Sequence, residues 1–213
     1  MKENLSAVIV DYEVGNVRSV ENAFRRLGLT DIKVSKSPDD IRRASFVVLP
    51  GVGAFGDAMR ALKKDRLVDI LGREVVENKK PLLAICVGMQ ILFEHSEEGD
   101  VSGLGWIPGE VVKFQIPSHL TIPHFGWNDV VPQSNEWLFA DMPGEKNFYF
   151  AHSFHARTDR SHIVAACDYG GLFPAVVRKD NIIAAQFHPE KSHRGGGIFL
   201  RNYVRHAVGK ERC

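Results

Sequence analysis

The sequence predicts an α/β protein built on a doubly wound, mostly parallel sheet, with antiparallel strands added in its C-terminal half. Two observations carry this. Up to Glu98, short apolar runs alternate with amphipathic stretches, as buried parallel strands alternate with the helices that cover both faces of a sheet. Beyond Glu98-Gly99 helical signals are sparse and strand-like runs follow one another.

In chain order, Ala7 to Tyr12 reads as a first buried strand and Glu13-Val14-Gly15-Asn16 as a turn. Val17 to Leu27 is a helix with apolar residues at 17, 20, 24 and 27, and Gly28 is placed to cap it. Ile32 to Ser35 is a second strand, Ser37-Pro38 opens a short helix, and Ser45 to Leu49 is a third strand that runs into Pro50-Gly51-Val52-Gly53. Helices are expected over 54–63 and 66–77, then a strand over Leu82 to Ile85 and a helix over Met89 to Glu94. In the second half, 106–114, 121–125, 147–150, 162–167, 173–178 and 181–187 read as strands, with Asp180-Asn181 at a hairpin turn. A helix over 195–208 closes the chain. With no internal repeat, low-complexity tract or linker, residues 1–213 read as one domain.

Composition narrows the function. Hydrophobic residues make up 44%, enough for a sizeable core, and 27 Lys+Arg against 26 Asp+Glu leave a net charge of +1. No block of like charge suggests nucleic acid or a membrane surface as partner. Cysteines at 86, 167 and 213 lack C-x-x-C spacing, which argues against a disulfide framework and against a thiolate zinc site. Ala7 to Val10 is too short for a signal peptide and no run reaches transmembrane length, so a cytosolic protein is expected. His152-x-x-His155 and the other scattered histidines have no carboxylate pattern around them, so neither metal nor cofactor is expected.

Three features carry chemistry. Cys86 ends an apolar strand and is flanked two positions either side by Ala84 and Gly88, the spacing of a nucleophile elbow. A helix starting there would favour thiolate through its dipole and free N–H groups. His188-Pro189-Glu190 follows another apolar strand; proline keeps His188 out of helical geometry, and extended residues i and i+2 point the same way, so Glu190 can orient the imidazole as a base for a thiol. Pro50-Gly51-Val52-Gly53 can turn backbone N–H groups into a cleft and, with the N–H of Val87, form an oxyanion hole. Singly, each also reads as structure: a small buried hydrophobe, a solvated strand end, a glycine-rich turn before a helix. The glycine loop lacks the lysine and hydroxyl of a nucleotide site.

Together, the elbow, the glycine loop and His188-Pro189-Glu190 resemble the class I, triad-type glutamine amidotransferases. Within that group five ordered motifs resemble the glutaminase subunits of imidazole glycerol phosphate synthases. These are Val10-Asp11-Tyr12 with Gly15-Asn16 and Arg18-Ser19-Val20, Pro50 to Gly56, Cys86-Val87-Gly88-Met89-Gln90, Ile122 to Asn128, and His188 to Ser192. The resemblance covers nearly the whole chain. It implies a flavodoxin-like sheet, Cys86 as nucleophile, His188 as general base and acid, and Glu190 as its orienter. It also implies Gly51, Val52, Gly53 and Val87 around the oxyanion and Gln90 and Glu98 on the glutamine substrate. The partner it implies is a separate (βα)8-barrel cyclase that uses the ammonia to make imidazole glycerol phosphate and aminoimidazole carboxamide ribotide in histidine biosynthesis, forming a heterodimer through Asn16, Trp127, Asn128, Tyr149 and Lys191. Two positions depart from the pattern: Val87 stands for a commoner leucine, and Phe154 for an aromatic hydroxyl. The readings set against this one are a glutaminase subunit serving a sugar-modifying amidotransferase, a non-catalytic scaffold that binds a partner, and a free-standing cysteine hydrolase.

Overall fold

The structure, a computed structural model, describes residues 5–133, 136–144 and 146–205. The first half alternates as its apolar runs require: β1 (Ser6–Val10), α1 (Val17–Arg26), β2 (Asp31–Ser35), α2 (Pro38–Arg43), β3 (Phe46–Gly51), α3 (Phe55–Lys64), α4 (Leu67–Leu71), β4 (Leu82–Cys86) and α5 (Val87–Gln90). Gly72–Glu77 continues α4 as π-helical turns. The second half holds β5 (His95–Ser96), β6 (Val101–Ser102), β7 (Glu110–Lys113), β8 (His124–Pro132), β9 (Asn147–His152), β10 (Phe154–Arg157), β11 (Ile163–Asp168), β12 (Leu172–Lys179), β13 (Ile182–Ala185) and the closing helix α6 (His193–Tyr203).

The main sheet runs β2-β1-β3-β4-β13-β12-β11-β8-β9. Its first five strands are parallel, and every pairing from β13 onward is antiparallel. All residues of β3, β4 and β13 are buried, because helices or neighbouring strands cover both faces. The chain visits β2 on one side of β1 and then crosses to β3 on the other. Such a reversal opens a crevice beyond the carboxyl ends of the parallel strands. The expected hairpin is present, with Lys179 opposite Ile182 and Asp180 at φ 51°.

Four expectations need correction. The helix expected over 89–94 stops after one turn, because N–H groups of Leu104, Gly105, Trp106 and Ile107 take the carbonyls of Ile91, Leu92 and Phe93. A second sheet, β10-β7-β5-β6, was not foreseen; two of its strands are only two residues long, too short for any periodicity. β8 runs seven residues past the expected end at Phe125 to Pro132. Gly126, Asn128 and Asp129 are poor strand formers, but pairing with β9 overrides that preference. The closing helix begins at His193, two residues before the expected Gly195, and its expected last residues, 206–208, lie outside the described residues.

Candidate active site

β1, β3, β4 and β13 deliver their carboxyl ends to one crevice. Cys86, the last residue of β4, has φ 56° and ψ −114°, a strained combination for a residue with a side chain. Backbone packing imposes it. A Cβ on Gly88 would sit 2.0 Å from the Leu49 carbonyl oxygen, and one on Gly51 would sit 2.5 Å from the Gly88 nitrogen. α5 therefore rests directly on the β3 backbone, which Tyr12 fastens by donating from Oη to the Pro50 carbonyl at 2.7 Å. The resulting elbow brings Cys86 to the wall of a cavity of about 360 Å³. α5 is a single turn, so its dipole is a minor influence on the sulfur.

His188 reaches the same cavity from the segment after β13. Its backbone is clamped to β9: its N–H donates to the Tyr149 carbonyl at 2.9 Å, and Ser192 Oγ donates to the His188 carbonyl at 2.6 Å. Extended backbone ends at His188, and Pro189–Lys191 forms a 3-10 turn. The pairing with Glu190 thus comes from a turn, not from the extended alternation expected. His188 Nδ1 lies 2.8 Å from Glu190 Oε1, with both side chains almost fully buried. Cys86 is the other group that acts on the ring, from across the same cavity wall. Burial alone pushes this imidazole down, but Cys86 and Glu190 outweigh it and His188 is raised to about 10. The raise favours a proton on the imidazole, between sulfur and carboxylate. Glu190 Oε2 is buried with no hydrogen-bond partner among the described residues, which leaves the carboxylate's charge to His188.

The pattern of a strained cysteine, a histidine and a buried carboxylate paired to it at a sheet crevice coincides with a family match. The model of the class-I glutamine amidotransferases matches residues 8–206. The chain belongs to this family. Among curated relatives, it is 45% identical to imidazole glycerol phosphate synthase subunit HisH 2 of Vibrio vulnificus, covering 94% of each chain. It is 46% identical to subunit HisH of Carboxydothermus hydrogenoformans, covering 92% of this chain and 96% of the relative. Among solved structures, a GMP synthase subunit of Thermoplasma acidophilum superposes with a TM-score of 0.74 at 19% identity, covering 100% of this chain and 98% of the other. That likeness speaks to the fold alone.

In this amidotransferase site, Val52, Gly53, Val87, Gln90, Glu98 and Lys191 line the same cavity as Cys86 and His188. Gly51 lies behind it, beneath α5. Val87 opens α5, so its N–H has no partner within the helix. Val52 differs: its N–H donates to the Val14 carbonyl at 3.3 Å and is thereby committed away from the sulfur. Glu98 accepts from the N–H of Phe55, the first residue of α3, through Oε2 at 2.8 Å. Gln90 Nε2 donates to the Phe154 carbonyl at 2.8 Å and to Gln186 Oε1 at 3.1 Å, which uses both of its amide hydrogens.

Sequence reasoning gave no role to Gln186 and, although it named His152 and Phe154, assigned them none in the site. Gln186 had a usable signal: it stands two residues before His188 on the same segment. His152 had none, because its role depends on remote partners. It lies 2.8 Å from the Phe154 carbonyl through Nδ1 and 3.2 Å from His124 Nδ1 through Nε2, and Asn128 Nδ2 lies 3.3 Å from His124 Nε2. A carbonyl only accepts, so each ring in this row carries its hydrogen on Nδ1. Burial pushes His124 down to about 4 and His152 to about 3, so both are neutral.

At the cavity rim Lys191 Nζ stands 5.5 Å over the Tyr149 ring, and Trp127 stacks on His193 at 4.9 Å. Phe125, 70% exposed, extends this aromatic patch. Asn16 caps α1 by accepting from Ser19, and α1 packs against the Pro189–Lys191 turn. The Asn128 amide is turned to Asp168 and His124. Among the described residues no group of three or more His, Cys, Asp or Glu could hold a metal ion, and no helix is long and apolar enough to cross a membrane.

Proposed function

We propose that this chain is the glutaminase subunit of an imidazole glycerol phosphate synthase. It hydrolyses glutamine through a cysteinyl thioester and passes the ammonia to a separate (βα)8-barrel cyclase in the cytosol. The observation that carries the chemistry is Cys86 and His188 on the wall of one cavity, with the buried Glu190 paired to His188; similarity to HisH subunits supports the pathway.

In this reading the substrate's α-ammonium meets the Glu98 carboxylate, and its side-chain amide lies between Cys86 and Val87. The sulfur attacks as thiolate, while the carbonyl electrons move to oxygen and are met by the Val87 N–H. Collapse breaks the C–N bond, His188 gives its proton to the departing nitrogen, and ammonia leaves. His188 then takes a proton from water as the oxygen attacks the thioester, and glutamate is released. Glu190 keeps the imidazole oriented and stabilises its charge. Val52 becomes a second oxyanion donor only when its bond to Val14 is broken. A resting site with that bond intact is poor at hydrolysis, and partner binding on the neighbouring rim of Trp127, Tyr149 and Lys191 is placed to change it.

The test is glutamate release by the purified chain, alone and with an imidazole glycerol phosphate cyclase and its ribotide ligand. Activity that depends on both supports the reading. Full activity without the cyclase overturns the coupled-subunit reading, and no activity under either condition assigns the chain to another acceptor synthase or to a scaffold.

A further inference from the structure

Gln186 is completely buried, and the chemistry set out above gives it no role. Its surroundings allow its amide one orientation. The Phe154 carbonyl can only accept, so the Gln90 group 2.8 Å from it is the NH2. The same NH2 meets Gln186 at 3.1 Å, so the Gln186 atom there is the oxygen. The Gln186 NH2 is therefore turned to the other side, where it lies 3.9 Å from Cys86 Sγ. A row of donors and acceptors that begins at a backbone carbonyl on β10 ends in an N–H directed at the sulfur.

We infer that Gln186 is a positioning residue for the nucleophile: its side-chain N–H holds the Cys86 sulfur toward His188 and stabilises it as thiolate. The inference rests on the reading of Cys86 as nucleophile. Burying a primary amide completely is costly unless its hydrogen bonds are made, and packing alone would be served by an apolar side chain. The long N···S separation suits a donor facing a large, diffuse anion. His188 supplies a cation to that sulfur, and Gln186 adds a neutral donor whose direction is set without any proton transfer. Phe154 thus enters through its backbone carbonyl, and its missing ring hydroxyl is immaterial to this contact.

The experiment measures the rate of alkylation of Cys86 by iodoacetamide against pH, resolved by mass spectrometry, in the wild-type chain and in Gln186→Met and Gln186→Glu. Cys167, whose thiol burial pushes up to about 12, serves as an internal unreactive reference. Losing a donor to an anion is expected to move the alkylation profile upward by about one pH unit, roughly a tenfold loss of rate near neutrality. The move is larger for Gln186→Glu, whose carboxylate also repels thiolate. With the cyclase present, glutaminase kcat falls while KM for glutamine stays near the wild-type value. A Gln186→Met protein that is folded but alkylates with the wild-type profile overturns the inference, even if its kcat has fallen. Should neither variant fold, side-chain amide NMR of the wild-type chain decides: alkylating Cys86 shifts the Gln186 amide protons if they face the sulfur and leaves them in place if they do not. Alkylation needs neither glutamine nor cyclase, so failure of the proposed function leaves this readout intact.

Discussion

Two buried histidine settings meet at the candidate site and behave in opposite ways. His188, after β13, is raised to about 10, whereas His152, on β9, is lowered to about 3. Both are almost fully inaccessible, at 3% and 6% exposed, so burial does not separate them. The difference is the partner. His188 faces a carboxylate and a thiol, whereas His152 faces a carbonyl and a second neutral imidazole. Burial by itself removes charge from an imidazole; a thiol and a carboxylate beside it together reverse the outcome. The first arrangement stores a proton for chemistry, and the second stores none and works as a rigid, directional wall.

Removing the sulfur has the largest expected effect: Cys86→Ala lowers cyclase-stimulated glutamate release by about 10⁴-fold or more, with the circular dichroism spectrum unchanged. Next, Glu190→Gln makes the His188 setting resemble that of His152. Its glutaminase rate is expected to fall by about 10²–10⁴-fold. Ring-proton NMR should find His188 titrating below its wild-type value, because the carboxylate's share of the raise has gone while burial and Cys86 remain. A His188 that still titrates near its wild-type value would show that the thiol alone holds the proton.

Stability against pH tests both settings at once. His188 is raised, so its contribution is fully present below about 6.5 and is lost as pH climbs toward about 10. His124 and His152 are lowered, so theirs is present above about 6.5 and is lost as pH falls toward about 4 and 3. Thermal melting should therefore decline on both sides of neutrality. Glu190→Gln is expected to flatten the alkaline limb and His152→Gln the acid limb; an acid limb unchanged in His152→Gln would remove the buried imidazole as its cause. The smallest effect is expected at His155, partly buried against Phe114 and Phe173 and in no ion pair among the described residues. His155→Phe should change stability by less than about 1.5 kcal/mol in denaturant titration and leave glutamate release unaltered.

Sequence by itself settled whatever short-range sterics and periodicity control. The continuous apolar runs at 46–49 and 82–85 became strands buried on both faces, and the 17-20-24-27 spacing became α1. Cys86 between Ala84 and Gly88 announced an elbow, because a tight turn against β3 leaves no room for a Cβ at 88. His188-Pro189-Glu190 lay close enough in the chain for imidazole and carboxylate to meet, although through a 3-10 turn. The tertiary structure alone decided what depends on atoms brought from far along the chain. α5 ends after one turn because N–H groups from 104–107 capture the carbonyls that would continue it. Val52 gives its N–H to Val14, 38 residues earlier, and no local pattern records that choice. The part of the His188 raise that comes from Cys86 at the end of β4, the neutrality of His152 beside His124 of β8, and the direction of the Gln186 amide set by Gln90 are likewise fixed by residues from other elements. Hydrogen-bond polarity and charge inside a protein belong to the assembled neighbourhood, and a residue's identity supplies only the donors and acceptors it can offer.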